Sequence, residues 1–529
     1  MSSSASSSQL SWVVPLLETY WHKLLLFVQS EGIFRMVEHL IVLIVVWKLL
    51  AALMLEKRGR TGLISTIIKS AIRLFKKLGF VQRKIDEQLS AEAKKTVGKL
   101  LDGKTVKPSY ANIPDRGVEH DQILSLIDNR KSADIDPTVG RTFAYVYEQS
   151  KSHSKLTADC FNKYIHSNAL NPVVFNSLRV FEVEVVKMCA SLFNGNDDCV
   201  GSITSCGTES LLLAMKTYRD YRGKGEVLMC VTGHPGINKG CSYVGLDVVQ
   251  VSKGKDGRMC LKDLKKKISS KTVVVVCSAP QYPHGVVDNV SEIAKICLKY
   301  GVPLHVDSAI GGFVLPFIEK LGKNRFGPWD FRVPGVTSIN ADIHKYGYCP
   351  KGASVLIYSS AEIRRKQFYS FATWPGGIYI SPTSLGSRNG GCIVSAWGSL
   401  LGLGMEGFVN TTQRMLDTLD KVKAAVVSNP DLSLVAEPDS TIIAFNSKTV
   451  NIFNVADCLD EKGFKVEKQS DPDCIHLSIM PQHSPIVDEL VKAINESVEV
   501  VKREPDRYSS GTKAMYGMMA SIPDEVLVE

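Results

Sequence analysis

The stretch TVVVVCSAPQYPHGVVDNVSEIAKICLKYGVPLHVDSA, residues 272–309, decides the fold of this chain. Its two ends, 272–280 and 302–309, are short apolar runs with many β-branched residues, and the segment between them repeats apolar residues at helical spacing. Two more strand-like runs follow, VTSIN at 336–340 and ASVLIYSS at 353–360. Continuous apolar strands separated by helices predict an α/β fold with a mostly parallel sheet that is buried on both faces.

The rest of the chain divides around this α/β region. A smaller α+β domain is indicated toward the C-terminus by a helical stretch followed by strand-like runs such as STIIAFNS at 440–447. The predicted divisions are an N-terminal segment, a basic juxtamembrane segment with a connector, a large domain and a C-terminal small domain, at residues 1–57, 58–115, 116–385 and 386–529.

The N-terminal segment contains the almost wholly apolar run VEHLIVLIVVWKLLAALML, residues 37–55. A membrane-spanning helix needs about 20 apolar residues, so this run predicts one transmembrane helix, with Lys48 as its internal charge. The alternative is a buried core helix. A cleaved signal peptide fits poorly, because the apolar run lies far from Met1 and no small-residue cleavage site follows it.

Basic residues lie mainly on the C-terminal side of this span. EKRGR and IIKSAIRLFKKLGFVQRK follow it, whereas Lys23 and Arg35 are the only basic residues before it. The positive-inside rule therefore predicts that the bulk of the chain faces the cytosol. Apolar residues at helical spacing in residues 64–78 are compatible with a helix lying on an anionic membrane, and equally with a soluble linker helix.

Composition excludes several other classes of protein. A net charge of +9 over 529 residues is modest, and we expect no nucleic-acid partner. None of the thirteen cysteines forms a C-x-x-C pair, and residues 1–159 contain none. This pattern is typical of free thiols in a reducing compartment, and it predicts neither a disulfide framework nor a metal site.

Two candidate site residues lie at or just after the ends of predicted strands. Asp307 ends the strand in VPLHVDSA, and Lys345 follows VTSIN in the stretch NADIHKYGYCPKG. Ligands bind beyond the carboxyl ends of parallel strands, so both side chains are expected in one crevice. Asp307 could otherwise be a helix cap or part of a salt bridge, and Lys345 a solvated loop charge.

Two further features precede them in the chain. In GSITSCGTESLLLAMKTYRDY, a strand runs into small residues that open a helix at Gly207 and Thr208, which is a geometry suited to a phosphate. His234, in VTGHPGINKG, offers a flat ring after another strand. Taken separately, these are more often an ordinary helix cap and a structural histidine.

Taken together, the four features describe a pyridoxal 5′-phosphate site. A phosphate cradle, a stacking ring, a carboxylate for the ring nitrogen and a lysine for the Schiff base arrive in this chain order. His344 and Lys351 supply positive charge near the lysine. The order is that of fold-type I enzymes, and the D-x-x-x-G-G pattern followed by His-Lys resembles their decarboxylase-like branch.

Longer motifs narrow the resemblance. CGTES, PQYPHGVVD, VPLHVDSAIGGF, DFRVPGVTSINADIHKYGYCPKG and WPGGIYISPTSLGSR resemble the sphingosine-1-phosphate lyases, and the similarity runs from about Tyr147 to the C-terminus. It also takes in the N-terminal anchor and the basic segment after it. The resemblance implies a homodimer in the endoplasmic reticulum membrane that cleaves the C2–C3 bond of a phosphorylated sphingoid base by retro-aldol chemistry. The products are a long-chain aldehyde and phosphoethanolamine.

The resemblance also implies roles for individual residues. Catalysis is expected to involve Lys345, Tyr147, Lys351 and, with weaker support, Tyr282. Binding of the cofactor is assigned to Lys345, Asp307, His234, Gly207, Thr208, Cys206, His344, Gly376 and Gly377. The two glycines of this set at 376 and 377 reach the site of the neighbouring subunit in the family. Binding of the substrate is assigned to Tyr147, Asn171 and Lys351.

Two positions depart from the family pattern. In SNALNPVVF, Asn171 stands where the family has a histidine on the substrate side. Asparagine can donate a hydrogen bond to a phosphate but cannot carry charge or shuttle a proton, so weaker catalysis is one expectation. Cys206 stands where glycine is common. An amino-acid decarboxylase on the same fold and a catalytically inactive, membrane-tethered binding protein are the alternatives.

Overall fold

A central seven-stranded sheet organises the part of the chain that the computed structural model describes, residues 110–505 and 507–508. The predicted span at 37–55 and most of the basic segment lie outside the described residues. The strands of the large sheet are β1 (Val200–Thr204), β2 (Glu226–Cys230), β3 (Asp247–Val251), β4 (Thr272–Ser278), β5 (Leu304–Asp307), β6 (Val336–Ala341) and β7 (Ser354–Tyr358).

The strand order of this sheet is β1-β7-β6-β5-β4-β2-β3. The neighbours from β3 to β6 all run parallel, as the sequence predicts. The predicted parallel arrangement does not extend to β7, which pairs antiparallel with both β6 and β1. Its apolar residues show that the strand is buried, but burial alone does not set its direction.

Helices cover the large sheet on both faces. The helices of this part of the chain are α1 (His120–Lys131), α2 (Lys151–Lys163), α3 (Asn176–Leu192), α4 (Gly207–Arg222), α5 (Gly236–Val244), α6 (Leu261–Lys267), α7 (Val290–Tyr300), α8 (Leu315–Lys320) and α9 (Ala361–Arg365), of which α1 buries no residue. Successive side chains of β4 alternate between the two faces. Val274 and Val276 join the cluster that contains α4 and α5, whereas Val275 and Cys277 join the cluster that contains α7 and α8. This double burial explains why β4 is continuously apolar.

A second, four-stranded sheet lies toward the C-terminus. Two short strands, β8 (Tyr369–Phe371) and β9 (Tyr379–Ser381), and the helix α10 (Gly390–Ser428) precede it. The sheet and its helices comprise β10 (Leu432–Leu434), β11 (Ile442–Ser447), α11 (Ile452–Glu461), β12 (Glu467–Gln469), β13 (Cys474–Ser478) and α12 (Val487–Arg503). All its pairings are antiparallel, in the order β10-β11-β13-β12.

The long helix α10 is interrupted at Gly404, whose φ of 57° and ψ of −178° are not helical. Within the described residues it is the one helix long and apolar enough to cross a membrane. Long apolar helices also occur in the cores of soluble proteins, so the length and composition of α10 do not by themselves identify a membrane span. The α10 helix packs much of its length into the core.

Candidate active site

A cavity of about 380 Å³ lies at the carboxyl ends of the parallel strands. The cavity is lined by turns that follow the strands and by polar side chains from the large sheet and from β12. The lining residues that the sequence predicts are Tyr147, Cys206, Gly207, Thr208, His234, Tyr282, Asp307, His344 and Lys345. Residues predicted from separate motifs are thus brought together in one place.

Lys345 enters this cavity from the turn that follows β6. Its Nζ lies 2.8 Å from Oδ2 of the buried Asp342, three residues earlier. Burial opposes ionisation of Asp342, but the positive charge of Lys345 and the hydrogen bonds from Lys345 and Ser354 together lower the pKa of the carboxyl. The lysine amine therefore has an adjacent carboxylate that can orient it.

His344 is held beside this pair as a neutral ring. Burial lowers its pKa to about 4, despite the opposing effect of Asp342. The Nδ1 atom accepts a hydrogen bond of 3.3 Å from the backbone N–H of Ala353. Nε2 therefore carries the proton and remains available as a donor toward the cavity.

Asp307 presents one carboxylate oxygen to the cavity. Oδ1 accepts hydrogen bonds of 3.1 Å from the backbone N–H of Ala309 and from Nδ2 of Asn340. In residues 110–505 and 507–508, no hydrogen bond reaches Oδ2. Because Asp307 lines the cavity, a ligand that excludes water from Oδ2 must supply a donor to it. A protonated pyridine nitrogen would supply the missing donor, so this side chain fits pyridoxal phosphate.

The turn from β1 into α4 forms the other end of the cavity. Cys206 is extended, and Gly207 begins the helix, whose first N–H groups have no partner within the helix. A Cβ atom at Gly207 would lie 2.7 Å from both carboxylate oxygens of Asp342. The turn is fixed by Glu209, which accepts a 2.6 Å hydrogen bond from the backbone N–H of Ser205. These groups fit a phosphate at the positive end of a helix.

His234 lines the cavity with a fixed ring. Its Nδ1 accepts a 3.0 Å hydrogen bond from the backbone N–H of Gly236, at the start of α5. The ring itself is exposed. Fixed orientation and exposure suit a ring that stacks on a flat ligand.

Tyr147 and Tyr282 line the cavity, and Lys351 lies beside the Tyr147 ring. The Lys351 Nζ lies 4.4 Å from the centroid of the Tyr147 ring and donates a 3.1 Å hydrogen bond to the carbonyl of His344. Burial, reinforced by the charge of Lys345, lowers the pKa of Lys351 to about 8. Burial raises the pKa of both tyrosines, so each remains a protonated phenol at neutral pH.

Four predicted residues do not line the cavity of their own chain, namely Lys351, Asn171, Gly376 and Gly377. Asn171 is exposed, and its Oδ1 accepts hydrogen bonds from the backbone N–H groups of Val173 and Val174. Gly376 and Gly377 lie in an exposed segment between β8 and β9, and Gly377 has a φ of 109°. A position facing a neighbouring subunit is compatible with this placement.

The cavity also contains residues that the sequence argument missed. Asp342 precedes Lys345 by three residues, and its position in the ADIHK motif could have identified it. Glu467 comes from β12 of the small sheet and accepts a 2.9 Å hydrogen bond from the hydroxyl of Tyr145. No local signal identifies this pair, because the contact joins residues 322 positions apart.

Comparisons with known proteins agree with this geometry. Residues 111–448 match the family model described as "Pyridoxal-dependent decarboxylase conserved domain". Sphingosine-1-phosphate lyase 1 of Rattus norvegicus is 35% identical over 463 residues, covering 86% of this chain and 82% of the relative. Sphingosine-1-phosphate lyase of Arabidopsis thaliana is 36% identical over 484 residues, covering 88% of each chain.

Solved structures show the same fold. The sphingosine-1-phosphate lyase of Burkholderia pseudomallei is 28% identical, with a TM-score of 0.73 that covers 78% of this chain and 96% of the other. A glutamate decarboxylase of Lactobacillus brevis has a TM-score of 0.65 at 18% identity, which shows the fold alone. Because the family model matches more than half of the chain, and relatives above 30% identity align along most of their length, the chain belongs to the pyridoxal-phosphate-dependent sphingosine-1-phosphate lyase family.

Proposed function

We propose that this protein is a pyridoxal-phosphate-dependent lyase that cleaves the C2–C3 bond of phosphorylated sphingoid bases. The products are a long-chain aldehyde and phosphoethanolamine. The observation that carries the proposal is the meeting of Lys345 and the free Oδ2 of Asp307 in one cavity of a chain that belongs to this lyase family. The relatives do not favour an amino-acid decarboxylase or an inactive binding protein.

The residues at the cavity fit the cofactor at both of its ends. The backbone of Gly207 and Thr208, with Nε2 of His344, would hold the phosphate, and Oδ2 of Asp307 would accept the proton on the ring nitrogen. Cys206 lies in the same turn, and the ring of His234 would stack on the cofactor. When bound, pyridoxal phosphate supplies a carbonyl for the substrate amine and a sink for the electrons of the broken C–C bond.

Lys345 would hold the cofactor covalently, which requires its amine to act in the neutral form. Asp342, 2.8 Å from Nζ, accepts a hydrogen bond from the amine and orients it. Because the pKa of Asp342 is lowered, its carboxylate remains ionised at neutral pH and serves as an acceptor for the amine.

Lys351 and Tyr147 bind the substrate on the open side of the cavity. Since the pKa of Lys351 is about 8, its ammonium form predominates at neutral pH and can pair with the substrate phosphate. Tyr147 remains protonated and acts as a hydrogen-bond donor. Tyr282 contributes a second phenol at the same edge. The base that removes the 3-hydroxyl proton is one of Lys345, Tyr147 and the substrate phosphate.

The assembly is proposed to be a homodimer with shared active sites. Gly376 and Gly377 do not line their own cavity, and they lie beside the exposed apolar side chains of Phe371, Trp374 and Ile378. An exposed apolar segment of this kind is typical of a protein interface. Asn171 is likewise exposed, and we assign it to substrate binding across the same interface.

The proposed span and orientation rest on the sequence, and the endoplasmic reticulum as the membrane rests on the family resemblance. A single helix at residues 37–55 anchors the protein in the endoplasmic reticulum membrane, and the basic segment within 58–115 keeps the catalytic part in the cytosol. The large domain covers residues 116–385 and the small domain 386–529. A substrate with a lipid tail and a charged headgroup is concentrated at such a surface.

Product analysis distinguishes this function from decarboxylation. The purified protein with pyridoxal phosphate is incubated with a phosphorylated sphingoid base, and separately with glutamate and with aromatic amino acids. The proposal predicts aldehyde and phosphoethanolamine from the first substrate and no CO₂ from the others. Release of CO₂ from an amino acid without aldehyde from the lipid would contradict it.

A further inference from the structure

A hydrogen-bonded chain of buried residues lies directly behind Asp307. Neighbouring strands β5 and β6 place His305 opposite Ser338 and Asp307 opposite Asn340. Nδ2 of Asn340 lies 3.1 Å from Oδ1 of Asp307, and Oδ1 of Asn340 lies 2.9 Å from Nε2 of His305. His305, Ser338 and Asn340 have no exposed surface.

The donors and acceptors of this chain have one consistent assignment. An ionised Asp307 only accepts, so the amide nitrogen of Asn340 must face it and the amide oxygen must face His305. Nε2 of His305 then carries the proton, and Nδ1 accepts from the hydroxyl of Ser338, 2.7 Å away. Burial lowers the pKa of His305 to about 4, in agreement with a neutral ring that has one donor and one acceptor nitrogen.

The chain continues to a phenol in a neighbouring helix. The hydroxyl of Tyr218, in α4, lies 2.5 Å from Oγ of Ser338 and donates to it, and it also lies 2.7 Å from Oγ1 of Thr337. The side chains that link Tyr218 to Asp307 are neutral. The carboxylate therefore receives two neutral donors on Oδ1, from Ala309 and Asn340, and Oδ2 is left to accept from a ligand.

We infer that Asn340 is a positioning residue for the cofactor: its amide fixes Oδ1 of Asp307 so that Oδ2 meets the ring nitrogen, and His305 with Ser338 fixes the orientation of that amide. This inference rests on the proposed binding of pyridoxal phosphate in the cavity. Asn340 acts through Asp307 and touches neither cofactor nor substrate.

The protonation state of the ring nitrogen tests this inference apart from activity. Holoenzyme is prepared with ¹⁵N-labelled pyridoxal phosphate, and the ¹⁵N chemical shift of the ring nitrogen and the Kd of the cofactor are measured. The wild type is expected to show a protonated nitrogen. Asn340→Ala removes one donor to a carboxylate, so the Kd should rise roughly tenfold.

Two other variants should change the ¹⁵N shift or the Kd to different extents. Asn340→Asp keeps the size of the side chain but places a second carboxyl group against Asp307, so the ¹⁵N shift should move toward the unprotonated value. Ser338→Ala removes the donor to His305 and the acceptor of Tyr218, and it reaches Asp307 only through His305 and Asn340, so it should move the shift and the Kd in the same direction by less. Asn454→Ala, at a buried asparagine in α11 of the small domain, is the matched control and should leave both quantities unchanged.

The possible results distinguish a failure of the inference about Asn340 from a failure of the proposed function. Wild-type shifts and Kd values in both Asn340 variants would overturn the inference while leaving the proposed function standing. Failure of the wild type to bind pyridoxal phosphate would overturn the proposed function itself. If neither Asn340 variant folds, Ser338→Ala decides, and an unchanged shift and Kd in that variant would refute the role of the chain.

Discussion

In the proposed substrate complex, Lys351 is the group that titrates in the physiological pH range. Its pKa of about 8 results first from burial and then from the charge of Lys345. The ammonium predominates at pH 7 and is lost as the pH rises through 8, so its attraction for a phosphate weakens in the same direction. A phosphate monoester remains a dianion throughout this range, because its second pKa is about 6.

The KM for the phosphorylated base should therefore rise between pH 7 and 9.5 in the wild type. Lys351→Arg keeps its charge throughout, so its KM should stay level over the same range. Lys351→Met should show a KM raised about tenfold at pH 7, since one hydrogen bond to a charged group is lost. A KM that rises equally in the arginine variant would show that Lys351 is not the titrating group.

Sequence patterns predict site residues best where a strand ends. Asp307 and Lys345 follow β5 and β6, and parallel strands direct their carboxyl ends to one edge, so the meeting of these residues could be predicted. Glu467 could not, because its place in the cavity depends on how the small sheet packs. Asn340 could not be recognised as a partner of Asp307 until the strand register was known.

At the scale of elements, an ion pair joins the start of α10 to α3 and β1. Arg388 makes two hydrogen bonds to Glu182, at 2.6 and 2.9 Å, and Glu182 also accepts from the backbone N–H of Ile203. The side chains of Arg388 and Glu182 are 11% and 16% exposed. Removal of one partner leaves the other charge buried without compensation.

Arg388→Ala should accordingly lower the free energy of unfolding by about 3–5 kcal/mol in chemical denaturation. The double variant Arg388→Met with Glu182→Gln removes both charges and keeps an acceptor for Ile203, so it should be more stable than Arg388→Ala. A loss below about 0.5 kcal/mol in the single variant would place this pair among ordinary surface contacts.

The sequence pattern predicted the positions of the strands but not the direction of every strand. The apolar runs at 272–280 and 336–340 correspond to β4 and β6 within two residues at each end. The run at 353–360 corresponds to β7, but its antiparallel direction was not predicted. Direction depends on the length and path of the connection, and the short link from β6 to β7 carries the Lys345 turn in place of a crossover helix.

At the scale of the whole molecule, the proposed sharing of active sites between subunits predicts that two inactive variants can complement each other. Lys345→Ala removes a residue of the subunit's own cavity, whereas Gly377→Arg alters the exposed segment assigned to the neighbouring site. Each variant alone should be inactive. Co-expression should restore part of the activity, because one mixed dimer then contains one site with both native groups. Absence of recovery in isolated mixed dimers would contradict sharing of sites across subunits.

The central claim is that Lys345 makes this chain a sphingoid-phosphate lyase, and aldehyde release tests it most directly. Full-length protein with pyridoxal phosphate is incubated with a phosphorylated sphingoid base beside the Lys345→Ala variant, with folding of both checked by circular dichroism. Aldehyde from the wild type and none from the variant is the predicted result. No aldehyde from folded, cofactor-loaded wild type, or equal release by the variant, would contradict the claim.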